Sequence, residues 1–127
     1  MKRIILSLLL FITVIPAQWS TDPAAPQSLG SGVQAQLAAT SDRGVYVAWL
    51  SDMNDYHVYL QRLNSSGEPQ WDDDGIVVSN NNNDSWIAVY HLNIAVDSED
   101  NAIITTVDQR TGDTWEVYAY KIAPDGS

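Results

Sequence analysis

Apolar residues recur along this chain in short runs divided by polar turns, and the runs form two parallel series. Residues 45–50 read VYVAWL, 58–63 read VYLQRL and 76–79 read IVVS; later, 102–107 read AIITTV and 117–122 read VYAYKI. In each series a basic-apolar pair, Arg62-Leu63 and Lys121-Ile122, leads into a turn containing Gly67 or Gly126. Upstream, LAATSDRG at 37–44 lies over IAVDSEDN at 94–101 at an offset of 57, which becomes 59 once two residues are added in the second loop. Self-similarity at such a period marks an array of like units. Each unit buries its apolar faces on its neighbours.

The pattern predicts strands over 34–40, 45–51, 56–64 and 76–79, and again within 86–97, 102–107 and 115–123. No stretch beyond residue 17 holds helical spacing over three turns, whereas β-branched and aromatic residues cluster in short runs between turns. The strand at 45–51 is apolar on both faces, with Val45, Val47 and Trp49 on one and Tyr46, Ala48 and Leu50 on the other. A strand with one face in water would alternate apolar with polar, so this one is expected between two layers. The strand at 102–107 is read the same way. Units of four antiparallel strands suit blades of a β-propeller, here incomplete, since closure takes four or more blades; the alternative is a small β-sandwich. As an isolated product the chain is expected to form oligomers or aggregates through open edge strands.

Composition adds an address. Residues 1–17 carry Lys2 and Arg3, an apolar run from Ile4 to Ile15, and then Pro16-Ala17. That is the form of a cleaved secretory signal peptide, and the run is too short for a membrane span, which takes about 20 apolar residues. Residues 18–32, with two prolines and two glycines, read as an extended arm or linker, and residues 33–127 as the repeat region. Loss of the leader removes two of the six basic residues and none of the sixteen acids, moving the formal charge from −10 to −12. Nucleic acid, which needs clustered Lys and Arg, is excluded as a partner. The chain has no cysteine. Disulfides, thiolate metal sites and Cys nucleophiles are excluded with it, so five Trp and six Tyr must help hold an exported domain by packing alone.

Gln18-Trp19-Ser20 with Asp22-Pro23, then the run from Val58 through Leu63, Gly67, Trp71, Gly75 and Ile76-Val77-Val78-Ser79, make a recognisable pattern. The chain resembles secreted proteins of the Bacteroidetes and related bacteria that begin with such an arm, continue with blades of this form and end in a sorting domain of the Por (type IX) secretion system. Val117-Tyr118-Ala119-Tyr120-Lys121-Ile122 with Gly126 follows the same pattern. The resemblance implies a secreted or cell-surface repeat protein of unassigned activity, with further blades of the same polypeptide as neighbours. Later blades and a sorting domain are not in the sequence, so the expectation is an N-terminal fragment of a longer product.

Chemistry is sparse. Asp72-Asp73-Asp74-Gly75, Asp52 with Asn54 and Asp55, and Asp97-Ser98-Glu99-Asp100-Asn101 place oxygen donors in turns, as calcium requires. None has the alternating ligand spacing of a calcium loop, and Asp also favours turns for backbone reasons; Asp72, Asp73 and Asp74 are the metal candidates. Thr40-Ser41-Asp42-Arg43-Gly44 is a partial likeness to the Asp-box of sialidase-type propellers, with Tyr46 and Val47 where Thr and Trp would stand. His57 and His91 are the only histidines, and no GxSxG, HExxH or phosphate-binding Gly loop occurs. Trp71, Trp86 and Trp115 flank loops and could stack on a sugar ring, or pack between blades. The sequence thus points to a binding or adhesion module for an extracellular glycan or protein, without catalysis; the alternative is a piece of a propeller-type glycan hydrolase whose catalytic residues lie outside this chain.

Overall fold

The structure, a computed structural model, describes residues 19–51, 56–81, 91–112 and 114–127. They form two antiparallel sheets. The first has four strands in the order β1 (Val33–Ala39), β2 (Val45–Leu50), β3 (Val58–Leu63) and β4 (Ile76–Ser79), and the second has three, β5 (Asn93–Val96), β6 (Ala102–Asp108) and β7 (Glu116–Ile122). The protein is all-β, as its strand periodicity predicts, and neither sheet closes on itself among the described residues. Residues 1–17, on which the expected leader falls, lie outside the described residues, as do Asp52, Asn54, Asp55 and Trp86.

Register decides which side chains share a face. Tyr46 stands opposite Arg62, Ala48 opposite Leu60 and Leu50 opposite Val58, so these alternate positions of β2 and β3 point one way. In the second sheet Val96 and Ile122 flank Ala102, while Ile94 flanks Ile104. These two faces meet. Tyr46, Ala48, Leu50, Val58, Leu60, Ala102 and Ile104 are all fully buried in one core, and Ile94, Val96 and Ile122 pack on it. Polar groups pin the same junction: the Ser41 backbone N–H and hydroxyl donate to the Asp100 carboxylate at 2.8 and 2.6 Å. The Tyr46 hydroxyl donates to the Asp100 carbonyl at 2.8 Å.

The turns of the two sheets have the same hydrogen bonds. Between β1 and β2, Thr40 N–H donates to the Gly44 carbonyl and Arg43 N–H to that of Thr40; between β5 and β6, Asp97 N–H donates to Asn101 and Asp100 N–H to Asp97. Arg43 and Asp100 both take positive φ, 68° and 61°. After β3, Asn64 N–H reaches Glu68 and Gly67 N–H reaches Asn64, just as Ala123 N–H reaches Ser127 and Gly126 N–H reaches Ala123 after β7. Each sheet also ties its β1–β2-type turn to its third strand by an ion pair, Arg62 to Asp42 at 2.8 Å and Lys121 to Asp97 at 2.8 Å.

The double-sided apolar strands are covered unequally. On the other face of β2, Trp49 is 6% exposed while Val45 and Val47 are half-buried. Cover there comes from the 19–32 arm, whose Gly30 and Gly32 lie so close to Trp49 that a Cβ on either would clash with its ring. Trp19 lies against Gly67, and the Gln27 side chain donates to the Gly67 carbonyl at 3.0 Å. On the second sheet, the face carrying Ile103, Thr105 and Val107 stays partly open, and Val117 beside it is 75% exposed. The expectation of a layer on both sides of β6 is met on one side only among the described residues.

Candidate binding site

The β3–β4 connection is braced from within. Gln61, fully buried, donates from Nε2 to the Asp72 carbonyl at 2.8 Å, and its Oε1 accepts from the N–H groups of Arg62 at 2.9 Å and Trp71 at 3.3 Å. A buried amide satisfied on both ends fixes the loop, since any unmade bond there would cost desolvation. Gly75, at φ 71°, follows the three aspartates, and a Cβ there would come within 2.4 Å of the Leu60 carbonyl oxygen. Only glycine fits.

This bracing sets the position of Trp71. Its ring lies 6.0 Å from that of Tyr46, tilted by 32°, and its indole N–H edge is 3.1 Å from where a Cβ on Gly126 would sit. Trp71 therefore bridges the first sheet to the last turn of the second, and it is half-buried. Asp72, Asp73 and Asp74 remain exposed. Asp73 and Asp74 line a cleft of about 640 Å³ together with Pro69 and with Ser28, Gly30 and Ser31 of the arm. Among the described residues, no three His, Asp or Glu side chains come together as a metal-holding group.

A second cluster stands at the β6–β7 hairpin, at the opposite end of β6 from the β5–β6 turn. Register places Asp108 opposite Glu116, two carboxylates face to face across the ladder, an arrangement that is unfavourable without a cation. Arg110 supplies one. Its Nε donates to Asp108 Oδ1 at 2.9 Å, its guanidinium lies 3.6 Å from the centre of the Tyr118 ring, and it also bonds the Tyr120 hydroxyl. Glu116 accepts from Thr111 Oγ1 at 2.9 Å and from the Tyr118 hydroxyl at 2.5 Å. Burial works to raise the Asp108 pKa, but the Arg110 hydrogen bonds and charge outweigh it and hold the carboxyl below the usual range. Bonds from Tyr118 and Thr111 likewise lower Glu116.

Trp71 and Asp72, Asp73 and Asp74 thus share one connection, whereas Trp115, half-buried just before β7, belongs to the hairpin at the other end. The structure does not bring these two groups together. The Asp108–Arg110–Tyr118 cluster escapes a reading by motif because its members are common residue types at no diagnostic spacing. The available signal is the facing pair Asp108 and Glu116, visible only once the hairpin register is fixed. No family model, curated protein or solved structure matches the chain.

Proposed function

We propose that this chain is part of an exported repeat protein whose sheets are β-propeller-like blades, and that it acts as a binding or adhesion module without catalysis of its own. Two sheets with matching turns, stacked face on face in sequence order, support the repeat reading. The apolar leader and the resemblance to secreted Bacteroidetes-type proteins support export to the cell surface or beyond.

The observation that carries the binding reading is the β6–β7 hairpin. There an aromatic-ionic patch is held rigid by a buried carboxylate, with Arg110 laid on Tyr118 and Trp115 adjoining in sequence. Such a patch offers fixed donors and ring faces, the means by which a glycan or a polar protein surface is held. Asp108 is spoken for by Arg110 and held ionised. A general acid would need the reverse, a carboxyl raised towards neutrality.

The test is a glycan-array and protein-ligand screen run beside chromogenic glycosides. Retention of a ligand without turnover is expected, and replacing Trp115 or Arg110 by Ala should weaken it by about tenfold or more, as loss of an aromatic or Arg anchor does. Hydrolysis of any glycoside by the chain would overturn the reading.

A further inference from the structure

The two sheets do not meet through equivalent faces. With the offsets of 57 and 59, Tyr46, Ala48 and Leu50 of β2 correspond to Ile103, Thr105 and Val107, and Val58 and Leu60 correspond to Val117 and Ala119. The first sheet buries this face on the second. The second sheet presents the corresponding face to solvent: Val117 is 75% exposed, Ala119 is exposed, and Ile103, Thr105 and Val107 are half-buried. Conversely, the face by which the second sheet receives the first, with Ile94, Val96, Ala102 and Ile104, corresponds to Leu37, Ala39, Val45 and Val47. That face is open over β1, where Leu37 is 71% exposed, while over β2 the 19–32 arm covers Trp49.

The chain therefore carries both halves of its own internal interface on opposite sides, the one open among the described residues and the other covered in part by the 19–32 arm. A head-to-tail contact of this kind does not use itself up: each added copy leaves the same two faces free. We infer that the outer face of β6–β7 docks on the outer face of β1–β2 of a second copy, repeating the internal contact and building an open-ended series. Charge agrees with this occupant. In the internal contact Ser41 meets Asp100; in the repeated one, Ser98 takes the place of Ser41 and Arg43 that of Asp100. Arg43 of one copy is then set beside Glu99 of the other, whose side chain is 77% exposed, a pairing of opposite sign.

The inference rests on the repeat reading above but not on any ligand, so ligand binding without association would sink this surface alone, and association without a ligand the reverse. The experiment is sedimentation equilibrium on the purified chain from micromolar to millimolar concentration, with Leu37→Asp and Val117→Asp, each at a solvent-open position. Far-UV circular dichroism shows that each variant keeps the parent fold, and Leu37→Lys and Val117→Lys repeat the measurement with the opposite charge. The parent is expected to grow past a dimer with concentration, and each variant alone to stay monomeric. An equimolar mixture of the two variants should stop at about twice the monomer mass, because each brings one intact face. A parent that stays monomeric, one that stops at a dimer, or variants that fail to complement each other would overturn it.

Discussion

Asp108 is fully buried and stands opposite another carboxylate, so its charge depends on Arg110. Its folded pKa lies below the ordinary value, so the stability it contributes is present above the unfolded-state pKa and is lost as pH falls through the folded one. Arg110 opens partly to solvent, which screens the pair. Asp108→Asn is therefore expected to cost about 1–2 kcal/mol at neutral pH, discounted from the value for a fully buried pair. In urea melts the gap between parent and variant should narrow as pH drops below about 4, where the carboxyl of the unfolded chain is already protonated. A gap that is constant with pH would mean the pair does not carry the effect.

At the level of single elements, the turns hold the strands in register and glycine holds the tightest of them. Gly75 combines φ 71° with a backbone oxygen 2.4 Å from where a Cβ would be. Gly75→Ala is expected to cost about 2–4 kcal/mol in chemical denaturation, joining left-handed strain to a clash that only backbone movement relieves. Because β4 pairs with β3 from Leu60 opposite Ile76, the displacement should reach that edge first, read as faster amide exchange in β4 than in β2. The strands themselves were legible. Predicted bounds of 45–51 and 76–79 meet observed strands Val45–Leu50 and Ile76–Ser79, because β-branched runs between turn residues permit little else. The first strand starts at Val33, one residue earlier than expected, and passes through an irregularity between Val33 and Gln36 with Gln34 at φ 54°. A bulge of this kind leaves no mark in an apolar pattern.

At the scale of the molecule, one core serves both sheets, and Ile104 is the larger of its two fully buried members from β6, Ala102 and Ile104. Ile104→Ala should destabilise by about 2–5 kcal/mol through lost burial and a residual cavity. If the sheets stand or fall together, tryptophan fluorescence, which reports Trp49 and Trp71 of the first sheet and Trp115 beside the second, and far-UV circular dichroism must shift by the same amount in one transition. Separate transitions would mean that the core does not couple the sheets. The same scale explains the unequal cover of β2 and β6. Both are apolar on two sides, yet the arm screens Trp49 of the first while Val117 beside the second faces solvent.

By itself the sequence determined where the strands fall, which residues alternate across them, and that two stretches follow the same order of strand and turn. These are local properties, fixed by side-chain shape and by turn residues within a few positions. The tertiary structure alone decided that unlike faces meet, that Trp71 spans the two sheets, and that Asp108 finds its cation in Arg110. Each of these depends on hairpin register and sheet stacking, which bring together residues whose separation along the chain carries no information about distance in space.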